Sequence, residues 1–394
     1  MRVPREGSAR TTLAPRVLSV SFRSMKLLTE LCSIPTAPFA EQHVVRYIER
    51  FVAARKKLRL SRDRHGNLLI ELARTSKKKQ PRWVFAAHMD HPGFVATKML
   101  DCRTLQAAFR GWVNIDYVRG TRVRFFEDDG REIAGKIIEA KSGEHHGLTV
   151  ADRVIVRVGR PVTPGSPGMF DHGPGRFRGR RFYSRGIDDQ GGVASALAML
   201  EKLHRHPPPV PVAVLLTRAE EEGFVGAVAA VLRPQLLRKT DRLIAIECSA
   251  VQPYAPQGAG VIIRVGDKTS IFNSALTYFL TQQAYALAKK DKSFKYQRAL
   301  MPGGTCEATV YDAFGYTAAA VCIPLGNYHN MDRAKKKIAA EYIDVGDWKN
   351  MVDLFVHLAR TADTFKPDNS ALKRRVAERY RRLKHLLNRP HAGS

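Results

Sequence analysis

The chain lacks most of the features that would place it in several common classes. Its five cysteines, Cys32, Cys102, Cys248, Cys306 and Cys322, are odd in number, far apart and without a CxxC pair. That usage argues against both a disulfide framework and a zinc ribbon, and fits a reducing, cytoplasmic compartment. Long hydrophobic runs are missing too. The most apolar stretches, VPVAVLL and LIAI, are strand-length, far short of the roughly 20 residues a membrane-spanning helix needs. A transmembrane protein is not expected on this reading, nor a membrane as a partner. The first 24 residues are rich in Arg, Ser and Thr but have no continuous apolar core of the secretory kind. They read as a disordered tail or an upstream start ahead of Met25, with a targeting peptide as the lesser option. Acidic charge is scarce as well, with 37 Asp and Glu against 65 Lys and Arg, a formal net charge of +28. Such a balance raises nucleic-acid binding. The basic residues, however, fall in short runs (SKKKQ, RFRGRR, AKKDKSFK, RAKKKI) and in the tail LKRRVAERYRRLKHLLNR, with no nucleic-acid-binding motif around them. They read as solvated surface, so nucleic acid is not expected as a partner despite the charge.

What is present is enough apolar material, 44% of 394 residues, for one large domain with a smaller insert. From Met25 the chain shows two helical patterns separated by a proline-containing break, the second placing Val44, Val45, Ile48 and Phe51 on one face. GNLLIELA and RWVFAAH follow as short strands. Between about 97 and 175 the character changes to short strands punctuated by glycine and acidic turns, which suggests an inserted β-barrel or sandwich. Helix and strand then alternate through GGVASALAMLEKLHRH, PVAVLLTRA, GAVAAVLRPQLL, RLIAIE, NSALTYFLTQQAYALAKK and YTAAAVCIPL. That alternation predicts an α/β sheet covered by helices on both faces. The expected division is a basic tail at 1–24, a discontinuous catalytic domain at 25–97 and 176–365, a β-rich insert at 98–175, and a basic C-terminal helix or tail at 366–394.

Five polar clusters each follow an apolar strand: HMD after RWVFAA, DD after RFYSRGI, EEE after VAVLLTRA, E after RLIAI, and H after AVCIPLGNY. A single strand-end His or Asp is usually a satisfied structural residue. Five of them, at the strand ends where open sheets collect ligands, point to a metal centre. Mixed His and carboxylate donors suit zinc foremost, then cobalt or manganese. Two ions per subunit need one bridging carboxylate, plus a His and a carboxylate for each. Asp188 can bridge, His88 and Glu247 can complete one site, and Glu221 and His329 the other. Asp90 is placed to hold the second nitrogen of His88. Glu220 reads as the general base and Glu222 as charge at a helix start. Asp189 shapes the turn, its bond to Asp188 can be cis, and Gly191 and Gly192 let the next helix begin close to the metals.

These segments resemble a known family. AAHMDHPGF is similar to its AHMDExGF pattern, GIDDQGGVASAL to xLDDRxGxxxxL, EEEGFVGA to EEVGxxGA, and GNYHNMD to RYxHSxxE. The ordered set, from about Met25 to Ala362, resembles the tetrahedral or glutamyl (deblocking) aminopeptidases, which are di-metal metallopeptidases. An insert between the first His and the bridging Asp also fits this branch; carboxypeptidase and deacylase relatives carry theirs later in the chain. The resemblance implies a zinc-peptidase-like α/β three-layer sandwich with a mixed sheet and an inserted small β-barrel domain. It further implies removal of N-terminal residues from short peptides by a cytoplasmic homo-oligomer, from dimer to dodecamer. His91 stands where the family usually has Glu, Glu247 where it has Asp, and Gln190 where it has Arg, while GGTCEAT, with Cys306 and Glu307, replaces a GGTDAxA-like segment. Two other readings compete: a related di-metal amide hydrolase such as an N-acyl deacylase or carboxypeptidase, and an inactive relative binding polyanions through its basic surface.

Overall fold

The computed structural model describes residues 22–73, 80–145, 148–367 and 370–387. Most of the expected N-terminal tail and of the SKKKQ run lies outside the described residues. The first helix, α1 (Phe22–Leu31), begins inside the segment expected to be tail, and Ser24 is buried. Helix α2 (Gln42–Ala53) and strands β1 (Leu58–Arg62), β2 (Leu68–Leu72) and β3 (Trp83–His88) follow. Six strands come next: β4 (Gly93–Asp101), β5 (Thr104–Arg110), β6 (Arg122–Phe126), β7 (Glu132–His145), β8 (Leu148–Val158) and β9 (Pro167–Phe170). The hairpin β10 (Arg176–Arg178) and β11 (Arg181–Ser184) leads into α3 (Gln190–Arg205). Then come β12 (Val212–Thr217), α4 (Val225–Leu232), β13 (Arg242–Ala250), β14 (Val261–Gly266), α5 (Ser274–Lys290), β15 (Tyr296–Leu300), α6 (Glu307–Ala313) and β16 (Thr317–Leu325). Three short strands, β17 (Met331–Asp332), β18 (Lys337–Ile338) and β19 (Glu341–Asp344), precede α7 (Val345–Thr361) and α8 (Ser370–Leu387).

The main sheet is mixed and runs β1-β2-β12-β3-β13-β16-β14-β15. Its middle four strands, β12, β3, β13 and β16, are mutually parallel, so their carboxyl ends share one edge. Being covered on both faces, they read as continuous apolar runs such as VAVLLT and TAAAVCIPL rather than alternating ones. Helices α1, α3, α7 and α5 pack in a row as one layer, while α4 and α6 pack together with α6 on β13 and β16. Helix α3 shows why these segments are helical. Its ALAML-rich sequence has high helix propensity and is buried through its first three turns, and the chain then meets Pro207, which disfavours continuation.

Strands β4-β5-β8-β7-β6-β9 close into a barrel, so the insert has no free edge. Its first strand begins at Gly93, five residues ahead of the expected boundary at 98. Phe94 is central to its core, with ring centroids 5.0 Å from Phe109 and 5.2 Å from Phe170. Gly168 is required there, because a Cβ would lie 2.6 Å from the Phe125 ring. Met331, from the segment after β16, belongs to the same core and joins barrel to sheet. Replacing Phe94 by Ala removes this aromatic centre and is expected to cost about 3–5 kcal/mol of barrel stability. Thermal denaturation followed by near-ultraviolet circular dichroism checks it; an unchanged midpoint would show that the barrel core does not depend on this ring.

Candidate metal centre

Four of the five expected ligand-bearing segments meet at the carboxyl edge of the parallel strands. His88 ends β3 opposite Thr217 of β12, Glu220 and Glu221 follow β12, Glu247 lies in β13, and His329 follows β16. The fifth, Asp188, does not come from the main sheet. It follows β11, which pairs with β10 and β19 in a separate three-stranded sheet, and the Asp188–Asp189 bond is cis. The glycine pair also has a different reason from the one the sequence suggests. A Cβ on Gly192 would fall on the Asp189 carboxylate, so this glycine is required by Asp189 folding back over the helix start rather than by the metals. Gly191 packs against Ile187 and Cys248.

His88, Asp188, Glu220, Glu221, Glu247 and His329 are all buried. Asp188 lies between the two imidazoles: its Oδ1 is 3.5 Å from His88 Nε2 and its Oδ2 is 3.8 Å from His329 Nε2. Glu221 Oε2 lies 3.2 Å from His329 Nε2, and Glu220 Oε2 lies 3.9 Å from His88 Nε2. Donor atoms of His88, Glu220 and Glu247 fall within 4.8 Å of one another, as do those of His88, Asp188 and Glu221. Glu220, expected as the base, thus shares a cluster with His88 and Glu247. Glu220–Glu222 form one 3₁₀ turn between Ala219 and Phe224, whose φ values of 49° and 62° are left-handed. Asn327, His329 and Asn330 also have positive φ. Each such non-glycine conformation costs on the order of 1–3 kcal/mol, and here they coincide with the turns that carry donor side chains.

A second layer fixes the first. Asp90 lies 3.5 Å from His88 Nδ1, and its two oxygens accept from the backbone N–H groups of Glu220 at 3.0 Å and Glu221 at 3.1 Å. One carboxylate therefore sets both the imidazole and the glutamate turn. His329 Nδ1 faces the Trp112 carbonyl of the barrel at 3.0 Å. A carbonyl can only accept, so this nitrogen carries a proton, and Nε2 is the nitrogen left to face the carboxylates, where it holds a second proton or donates its lone pair to an ion. His91 bridges the Asp188 carbonyl at 2.5 Å and the Asn330 Oδ1 at 3.1 Å, tying the Asp188 and His329 segments together. Glu341 accepts from the N–H of Ile187 and Asp188, and Gln190 donates to the Met89 carbonyl. Glu222, expected as charge at a helix start, lies in the 3₁₀ turn and also accepts from the Gly111 N–H at 2.8 Å, which anchors the glutamate turn to the barrel.

The residues fit a divalent metal site. Among the described residues, the carboxylates of Asp188, Glu220, Glu221 and Glu247 have no Lys or Arg within ion-pair distance. Neither Asp188 Oδ1 nor His329 Nε2 has a hydrogen-bond partner. An imidazole nitrogen facing two carboxylates calls for positive charge between them, supplied by a proton or by an ion. Burial alone would depress His329, but Glu221 and Asp188 push it up to about 9. Burial, reinforced by Asp188, pushes Glu247 up to about 8, and burial also raises Glu220 well above the usual carboxylate range.

This mixed α/β sheet, with its inserted closed barrel and its buried cluster of imidazoles and carboxylates, defines a hydrolase of the metal-binding α/β class. The chain matches the model of the M42 glutamyl aminopeptidase family over residues 157–352 and belongs to that family, as its motifs imply; it is a peptide-bond hydrolase. Its fold is similar to that of the Pyrococcus horikoshii TET1 peptidase, at 21% identity over 85% of this chain and 99% of that one, TM-score 0.69. It is also similar to an aminopeptidase of the archaeon Desulfurococcus kamchatkensis, at 23% identity over 86% and 94%, TM-score 0.68. A TET aminopeptidase from a marine-sediment thaumarchaeon is 18% identical over 87% and 100%, TM-score 0.70. None of the curated proteins matches the chain significantly.

Metal uptake at such a centre displaces protons. With His329 at about 9 and Glu247 at about 8, both are protonated at neutral pH in the metal-free protein and release protons on binding. Zinc affinity of chelator-treated protein is therefore expected to rise between pH 6 and 8 by about one to two decades per pH unit. Competition with a chromophoric chelator measures it, and a pH-independent affinity would contradict the cluster as a metal site. Asp90→Asn should weaken the affinity by about 10–100-fold.

Proposed function

We propose that the protein is a metal-dependent aminopeptidase that removes N-terminal residues from short peptides. The carrying observation is Asp188, whose two oxygens each face a different imidazole. On this reading Asp188 would be shared between two divalent ions, zinc foremost with cobalt or manganese as alternatives, which its neighbours would help to hold. His88 and Glu247 complete one site, and Glu221 and His329 the other. Ions held there would polarise the scissile carbonyl and lower the pKa of water. Glu220, fixed through its backbone by Asp90, takes the proton of the attacking water and delivers it to the leaving amine. Asp90 acts as a positioning residue through His88 and the glutamate turn. Four of the five thiols are buried and free, which supports a reducing, cytoplasmic setting. Similar structures include a TET1 dodecamer and a TET1 peptidase that can assemble into a tetrahedron or a large octahedral shell, which supports a homo-oligomer, from dimer to dodecamer, for this chain.

The cavity beside Glu247 supports a preference as well. It measures about 90 Å³ and is lined by Glu247, Ser249, Arg264, Thr305 and Tyr328, among others. Arg264 is 3% exposed. It donates to Ser249 Oγ at 3.2 Å, its Nε has no partner, and among the described residues no carboxylate lies within ion-pair distance of it. A buried guanidinium with spare donors favours a short acidic side chain in the cavity. An N-terminal Glu, in keeping with the glutamyl aminopeptidase family, or an N-terminal Asp answers that need.

Glu220→Gln is expected to lower kcat by about 10²–10⁴ with metal content unchanged, checked with aminoacyl-p-nitroanilides and mass spectrometry of bound metal. Release of acyl groups or C-terminal residues alone would instead favour the deacylase or carboxypeptidase reading. Arg264→Met should cut kcat/KM for a glutamyl substrate by about 10–100-fold, the range of one or two charge-assisted hydrogen bonds, while leaving an alanyl substrate unchanged. Equal losses on both substrates would refute the acidic preference without touching the metal mechanism.

A further inference from the structure

The catalytic centre leaves the C-terminal helix α8 unused. It lies beyond the family match, which ends at residue 352, and every residue from Leu372 to Leu387 is exposed. Its sequence, SALKRRVAERYRRLKHLL, carries seven Lys or Arg and a single Glu. Leu372, Val376, Tyr380, Leu383 and Leu387 follow one another at spacings of four, four, three and four, so they form one apolar stripe. That stripe faces solvent: Val376 is 64% exposed, Tyr380 59% and Leu387 77%. At 100° per residue, Lys373 and Lys384 border the stripe on one side and Arg375 and Arg379 on the other.

We propose that α8 binds an anionic lipid surface, lying flat in the headgroup region with its stripe toward the acyl chains. The two halves of the argument are separable. The stripe needs an apolar environment that nothing within the described chain supplies, and the bordering Lys and Arg need negative charge on both sides of it. A nucleic acid would satisfy the charge and leave the stripe in water. A second copy of the helix would cover the stripe but set Lys and Arg against Lys and Arg along both margins. An interface of acyl chains beneath acidic headgroups meets both demands, since long basic side chains can lay their aliphatic stems along the stripe and hold their charges at the headgroups. No described helix is long and apolar enough to cross a membrane. A helix that lies flat on a surface needs no spanning segment, so the shortage of long apolar runs, on which no membrane is expected as a partner, does not bear on α8.

The test is co-sedimentation of the full-length protein with vesicles of phosphatidylcholine alone and of phosphatidylcholine with about 30 mole per cent phosphatidylglycerol. Binding to the acidic vesicles should be at least about tenfold tighter and should weaken as salt is raised. The pairs Val376→Asp with Leu383→Asp, and Arg375→Glu with Arg379→Glu, should each abolish it, with the thermal midpoint and peptide hydrolysis unchanged. Retained binding in the Val376→Asp/Leu383→Asp protein would overturn the proposal, leaving charge alone at work. Tighter binding of α8 to a duplex RNA probe than to acidic vesicles would overturn it in favour of nucleic acid. A smaller assembly by light scattering in the Val376→Asp/Leu383→Asp protein would overturn it in favour of a second copy.

Discussion

Four carboxylates share one buried pocket with two imidazoles, and like charges gathered in a low dielectric repel strongly. The surrounding acids show how the fold manages such charge elsewhere. Asp90 and Glu341 each accept two backbone N–H bonds, and Glu307 accepts from Thr217 and Tyr311. Asp188, Glu220, Glu221 and Glu247 face only imidazoles within ion-pair reach or, for Glu247, share a donor cluster with one. The surrounding acids are thus supplied with donors, and the four clustered acids are left short of them. Asp189 falls between: burial, opposed by His88, raises its pKa well above the usual range and disfavours its charged form.

The same requirement explains how the barrel is attached. Convergence of β3, β12 and β13 brings most of the donors together, but His329 sits on a turn with several left-handed residues and needs bracing. The barrel provides it. Trp112 offers its carbonyl to Nδ1, Met331 enters the barrel core, and the Asn114 N–H approaches the Met331 sulfur at 3.4 Å. Glu222 makes the corresponding link from the glutamate turn to Gly111. The insert therefore orients the last imidazole and the glutamate turn, so that barrel and sheet act on the site together.

Much of this was legible in the sequence because it depended on local pattern. Continuous apolar runs marked the parallel strands, and polar residues immediately after them marked the shared edge, so His88, Glu220, Glu221, Glu247 and His329 could be found one strand at a time. Short glycine-punctuated strands marked the barrel. What escaped was either silent in residue type or set by distant contacts. The Trp112 carbonyl is the same chemical group in every residue, and it meets His329 across 217 positions. His91 could be read as a departure from the family pattern, but not as the link between Asp188 and Asn330. Asp188 was recognisable as a strand-end acid, whereas the membership of β11 in a separate sheet depends on pairing with β19, over 150 residues later.

Charge was the least informative property as a total and the most informative by position. Arg82 and Arg264 have the same exposure of 3%, so burial does not distinguish them. Arg82 is held by Asp241 at 2.5 Å and Glu71 at 2.7 Å, which is how a buried guanidinium serves the fold. Arg264 has a serine hydroxyl and an unpartnered Nε beside the cavity at Glu247. Leaving a buried cation without a carboxylate is costly unless something else supplies the anion. The acidic centre beside it contributes field but no direct partner, and under the proposed acidic preference a substrate carboxylate would complete the pair.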